Sequence, residues 1–249
     1  MSNLPEFLVF ALVGAGAQLV DGALGMAYGV TSAGLLLGLG MPPVMASASV
    51  HYAETFTCGA SGLSHLAAGN VRRGLFLALA IPGAIGALLG VWLAVHLPAS
   101  WLRIVLTPYL LGMGLFLLLR SARRPGERTE PPRGTSLLGM AVGFVDAIGG
   151  GGWSALTATT LLARGMQPRV VIGSVHLAKC VVSLAASAAF LFGIGAGHVI
   201  AVLGLIAGGI LAAPFGALFI RRVPARAATV LAGLAVLVLG INNVVRILH

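Results

Sequence analysis

The stretch from Asp21 to Thr55 returns without a gap, 125 residues later, as Asp146 to Cys180. The clearest match sets GMPPVMASASVHYAET (Gly40 to Thr55) against GMQPRVVIGSVHLAKC (Gly165 to Cys180). Gly, Met, Pro, the Ser-Val-His triplet and an Ala coincide. A duplicated chain has to fold as two related units, and this duplication carries its polar residues along with the apolar ones. Whatever the polar positions do is therefore presented twice, around a common boundary.

The solvent for this fold is lipid. Hydrophobic residues make up 58% of the 249 and charged residues only 8%, against about 25% charged in soluble domains. Mean hydropathy is +1.02. The composition is that of an all-α polytopic membrane protein, and an apolar chain built from two repeats has the usual layout of a transporter with its site between them. A net charge of +9 could suggest nucleic acid, but the arginines gather in short loops: Arg72-Arg73, Arg120 to Arg133, Arg164 with Arg169, and Arg221 to Arg226. That distribution follows the positive-inside rule and excludes a recognition patch. No basic n-region precedes the first apolar run, so no removable signal peptide is expected. Cys58 and Cys180 lie in apolar segments at non-equivalent repeat positions and read as small core residues, not as a disulfide or thiolate metal site.

Each half reads as one long interrupted segment followed by three membrane-length helices. The first half gives Pro5–Leu39, Pro43–Ala68, Leu75–Val95 and Trp101–Leu119; the second gives Thr135–Ala163, Pro168–Phe192, Gly197–Ile220 and Ala225–Leu248. Residues 1–120 and 135–249 are the two repeats of one membrane domain, joined by a polar, proline-rich cytoplasmic linker at 121–134. As one straight helix, Pro5–Leu39 would be about 50 Å long at roughly 1.5 Å per residue, too long for a hydrocarbon core of about 30 Å. Gly22, Gly25 and Gly29 sit near its middle, so two half-helices returning to the same face are expected. With both interrupted segments re-entrant, every arginine cluster falls on the inside and only Arg103 and Arg246 remain outside. Three full crossings per half then make the repeats inverted, with both termini outside.

Beyond loops and termini, the charged residues are Asp21, Glu54, Asp146 and Lys179, the last being the chain's one lysine. An intramembrane charge costs about 2.5–3.5 kcal/mol on insertion scales and marks function by default. Glu54 and Lys179 are equivalent positions of opposite charge and could pair between the repeats, for structure or for transport. His51 and His176 lie three residues earlier on the same helical faces. One stripe runs Ser47, His51, Glu54, Cys58, His65; its partner runs Gly173, His176, Lys179 with Cys180, Ser183, Ser187. Histidines titrating near neutrality suit substrate binding or proton movement.

The strongest local feature is DAIGGGGWSALTATT (Asp146 to Thr160), where Gly149 to Gly152 interrupt a membrane segment before a hydroxyl-rich half-helix. Unwound backbone at membrane depth has to line a cavity or be covered by protein. The half-helix then presents its free N–H groups near the midplane, an anion site without a basic side chain. DGALGMAYGVTSAG (Asp21 to Gly34) offers a weaker version.

These residues resemble the TauE/SafE sulfite-exporter family, over nearly the whole chain. The resemblance rests on the Gly-rich break, the short GMPP or GMQP turn, and the small-residue stretch at Ala48-Ser49 and Gly173-Ser174, all duplicated. The first repeat, GALGMAYG, departs from the family's GIGGG-like break, and neither repeat has the proline at the end of the following run. The resemblance implies export of a small sulfur-containing anion, sulfite or an organosulfonate, across a bacterial cytoplasmic membrane. On this reading the half-helix starts at Gly25, Met26 and Ala27, and at Gly150, Gly151, Gly152 and Trp153, face each other. Ser49, His51, Ser174, His176 and Lys179 line the site. Asp21, Glu54 and Asp146 are protonated, paired or carry coupled protons. No cofactor is expected. Lipid is the other partner, with Trp92, Trp101 and Phe116 as lipid or interface contacts, and one exposed face could support a homodimer. The alternative is a transition-metal permease using His51, His176, Cys58, Glu54 and the acids, against which the fixed cation Lys179 argues. No HExxH, nucleophile elbow or P-loop supports an enzyme.

Overall fold

The computed structural model describes residues 4–24, 27–119 and 127–219, with positions 230, 234, 237, 238, 241, 244 and 245 beyond them. The described chain is helical throughout: α1 Leu4–Leu24, α2 Tyr28–Gly38, α3 Pro43–Ala67, α4 Arg73–His96, α5 Ala99–Leu119, α6 Thr135–Gly149, α7 Trp153–Ala163, α8 Pro168–Ile194 and α9 Val199–Phe219. An isolated bridge between Arg128 and Met166 is its one strand-like pairing among the described residues. The expected last helix, Ala225–Leu248, lies largely outside them. Duplication shows in the boundaries themselves, since Tyr28–Gly38 shifted by 125 positions is Trp153–Ala163.

Among the described helices α4, α8 and the stretch Ala99–Phe116 of α5 are both long and apolar enough to cross a membrane. The α3 helix is as long, at 25 residues, but its stripe of Ser, His, Glu and Thr lowers its hydropathy. That stripe has to be buried in protein, and α3 is accordingly packed against α8. Trp92 and Trp101 are exposed as expected of lipid-facing residues. Phe116, partly buried, packs against the apolar cluster around Leu102, Leu106 and Leu110.

Both interrupted segments break where the sequence loses its helical register. In the second repeat Gly150 and Gly152 adopt φ of 69° and 117°, a region that side chains with a Cβ avoid, and α6 stops there. In the first, Ala27 is non-helical at φ −125°, while Gly25 and Met26 lie outside the described residues.

The α6–α7 pair is a hairpin whose open ends share one face. Arg128, just before α6, donates to Gly165 O at 3.1 Å and accepts from Gln167 N at 2.8 Å, and Arg164 Nη1 donates to Arg133 O at 3.0 Å. The α3–α4 turn joins the same face, where Arg169 Nη2 donates to Ala68 O at 3.1 Å and Arg72 pairs with Glu130. Six arginines thus meet on one face: Arg72, Arg73, Arg128, Arg133, Arg164 and Arg169. The α2–α3 turn belongs to the opposite face. Leu36, Leu37 and Met41 share a cluster there with Leu93, Leu97 and Leu102 at the α4–α5 turn, and Tyr52 donates to Gly195 O at the end of α8 at 2.9 Å.

At the centre α3 and α8, the equivalent helices of the two repeats, run antiparallel. Thr55 meets Ser187 at 3.1 Å, and Ser61 meets His176 at 2.8 Å. Around this pair the first helix of each repeat packs on the fourth helix of the other, α1 on α9 and α6 on α4. Both crossings are made by glycine. A methyl group added at Gly86 would lie 2.0 Å from Met140 O, and one at Gly208 would lie 1.9 Å from Ala11 O. In lipid, where apolar surface gains nothing by helix association, such close backbone approach supplies the packing energy.

Candidate functional site

The two breaks meet at the centre of the protein. A Cβ on Gly151 would fall 2.2 Å from the carbonyl carbon of Gly29, so only glycine lets the strands of backbone pass. Tyr109 of α5 holds this point by donating its hydroxyl to Gly151 O.

Each half-helix is capped by the acid of its own repeat. Asp21 Oδ1 accepts from Ala27 N at 2.7 Å and Tyr28 N at 3.0 Å, and Asp146 Oδ1 accepts from Trp153 N at 2.8 Å. Tyr28 and Trp153 are equivalent positions, so the interaction is duplicated with the sequence. A carboxylate there satisfies orphan amides and opposes the positive end of the helix dipole.

Beside the second break lies a buried ionic cluster. Lys179 Nζ donates to Asp146 Oδ2 at 2.6 Å and lies 2.8 Å from Glu54 Oε2. His51 Nε2 is 3.2 Å from the same Asp146 Oδ2, and its Nδ1 is 2.9 Å from Ser47 O. None of the four side chains is more than 5% exposed. Residues from α3, α6 and α8 thus converge, and removing Lys179 would strand two carboxylates away from solvent.

A small, partly open pocket adjoins the cluster. Glu54 forms its inner wall, Gly29 and Ser154 bring the two half-helix starts to it, and Asp21, Ser61 and His176 line its sides. Along α3 the lining runs from Glu54 toward the C-terminal end, through Thr57 and Cys58 to Ser61. On α8 it includes His176, in the N-terminal half. Both directions lead from the centre toward the arginine-bearing face. Phe190 covers His51 on the other side, with ring centroids 5.9 Å apart.

The remaining sequence candidates are dispersed. Ser49 is fully buried. Ser174 lies away from the cluster and accepts from Arg72 N at 2.9 Å, tying the α3–α4 turn to α8. His176 faces Ser61 and the ring of His65, 5.8 Å away. Trp153 is among the lining residues, while its ring packs on Gly83 and donates from Nε1 to Val175 O at 3.1 Å. Thr57, Ser61 and Gln18 were absent from the sequence candidates, although Thr57 and Ser61 extend the Glu54 stripe at helical spacing and Gln18 lies one turn before Asp21. Tyr109 had no such signal, because α5 shows no polar stripe to single it out. Among the described residues no group of three or more His, Cys, Asp or Glu is placed to hold a metal ion.

An all-α membrane protein with a buried ionic site, reached through a pocket from one face, has the build of a transporter. The chain belongs to the sulfite exporter TauE/SafE family, whose model matches residues 10–243. It is similar to a Bacillus subtilis (strain 168) protein described as probable membrane transporter protein YtnM, at 42% identity over 228 residues, covering 88% of this chain and 76% of that one. No solved structure matches the chain.

Proposed function

We propose that the protein is a secondary transporter that exports a small sulfur-containing anion, sulfite or an organosulfonate, across the bacterial cytoplasmic membrane. Alternating access occurs at a site between two inverted repeats, residues 1–120 and 135–249, with the linker 121–134 at the cytoplasmic face and both termini outside. The observation that carries this reading is the pocket joining the paired helix breaks to the arginine-bearing face. The antiparallel α3–α8 pair supports the inversion, and the arginine asymmetry supports the orientation.

In this reading the anion enters from the cytoplasm and meets the start of each half-helix. The end amides capped by Asp21 and Asp146 are occupied, but the next amides of the pocket-lining first turns, Gly29 and Ser154, have no acceptor within their helices. They supply N–H groups to a tetrahedral or pyramidal oxyanion. Lys179, behind Glu54, offsets part of the negative charge that Glu54 and Asp146 would otherwise turn toward the substrate. Membrane potential favours anion exit by about 2.3 kcal/mol per charge per 100 mV.

The test is flux from proteoliposomes loaded in turn with sulfite, taurine and sulfoacetate, under an imposed potential. Saturable efflux of one sulfur anion, lost in Lys179→Ala and His176→Ala, is expected. Ni²⁺ transport that survives Lys179→Ala, with no anion efflux, would overturn the reading in favour of a metal permease.

A further inference from the structure

His51 is completely buried, and both of its ring nitrogens face oxygen. Nδ1 lies 2.9 Å from the main-chain oxygen of Ser47, and Nε2 lies 3.2 Å from Asp146 Oδ2. A peptide oxygen and a carboxylate oxygen only accept. A neutral imidazole has one N–H and satisfies one of them, leaving its other nitrogen lone pair aimed at an oxygen; an imidazolium satisfies both. A proton on Asp146 Oδ2 could instead serve Nε2, but the ammonium of Lys179 at 2.6 Å and the Trp153 amide both favour the ionised carboxylate. Trp153 N donates to Oδ1 and Lys179 Nζ to Oδ2.

Charge points the same way. The charged groups around His51 are Asp146 from α6, Lys179 from α8 and Glu54 one turn along its own helix. Ionised, these three sum to one negative charge, with the apolar ring of Phe190 closing the remaining side. A net charge held away from bulk water is costly, and a proton on the imidazole brings the cluster to neutrality.

We infer that His51 is held as an imidazolium between Ser47 and Asp146, a proton-binding site inside the membrane domain. Binding is a proton transfer: the Nε2 lone pair forms an N–H bond with a proton from hydronium, whose O–H bond breaks to leave water. Separating His51 from Asp146 removes the carboxylate that holds the proton, which then leaves toward the face the cluster opens to. As the proton coupled to anion movement it rests on the proposed transport function; as a protonated ring it rests on the hydrogen-bond geometry alone.

Two measurements separate these. In protein labelled with 15N-histidine at about pH 7.5, roughly one unit above the ordinary imidazole value, one ring is expected to show two protonated nitrogens. That signal disappears in His51→Gln and persists in His176→Gln. A His51 ring with one bare nitrogen overturns the proton site. In proteoliposomes, a pH gradient is expected to change the initial anion efflux rate severalfold in the wild type. Efflux indifferent to the gradient, with the imidazolium present, overturns the coupling. No efflux of any tested anion, with the imidazolium present, overturns the transport reading and leaves the proton site supported.

Discussion

Glu54 and Lys179 hold the same position in the two halves of the chain, and their side chains meet at 2.8 Å. The next pair also touches, with Cys180 Sγ donating to the main-chain oxygen of Thr55 at 3.8 Å. Equivalent residues of a duplicated chain can touch only near the axis relating the copies, so that axis passes between α3 and α8 here. Two glutamates or two lysines on the axis would repel. The opposite charges attract, and they also make a nearly symmetric site unequal: Lys179 joins Asp146, while Asp21, its counterpart, is held by backbone amides.

Replacing Lys179 by Met should remove the cation that Asp146 and Glu54 share. Breaking a buried pair by deleting one partner costs about 3–5 kcal/mol, so the purified variant should unfold at markedly lower temperature and carry no anion. Thermal denaturation in detergent checks this, and a Lys179→Met protein as stable as wild type would refute the pairing.

The caps at the two breaks predict a difference between isosteric and truncating changes. Asp21→Asn retains an oxygen for the amides of Ala27 and Tyr28, whereas Asp21→Ala leaves both without it. The alanine variant should be less stable than the asparagine variant by about 1 kcal/mol, read from paired denaturation curves. Equal stability would mean that the carboxylate acts through charge alone.

Glycine at the α4–α6 crossing is required by distance. A side chain at Gly86 meets Met140 O at 2.0 Å, whereas Gly112 in α5 has nothing within 4 Å of an added Cβ. Gly86→Ala should destabilise by about 1–3 kcal/mol through overpacking. Gly112→Ala should be neutral or stabilising by up to about 1 kcal/mol from helix propensity. Yield and melting temperature of the two variants, measured side by side, test the contrast.

The pocket's direction is open to chemical labelling. With Cys58 and Cys180 replaced by Ser, Thr57→Cys should react with an impermeant maleimide added at the arginine-bearing face. Ser47→Cys, at a position only 1% exposed, should stay unreacted. Labelling of Thr57→Cys from the opposite face alone would reverse the access described.

The sequence by itself determined the helices, the two breaks and the short list of intramembrane charges, because each depends on local pattern. Apolar length sets a helix, a run such as Gly149 to Gly152 stops one, and a buried charge stands out against a lipid-soluble background. Duplication added which positions are equivalent, and the arginines, by their loops, added which turns share a face. The tertiary structure alone decided which of these residues touch. His51 reaches Asp146 across 95 positions, and Ser174 goes to the Arg72 amide instead of the cluster. Tyr109 secures Gly151 from a helix with no polar pattern to announce it. Those contacts depend on the antiparallel register of α3 on α8 and on how closely glycine lets α4 and α6 approach. Both are set by packing between segments far apart in the chain, which no local periodicity records.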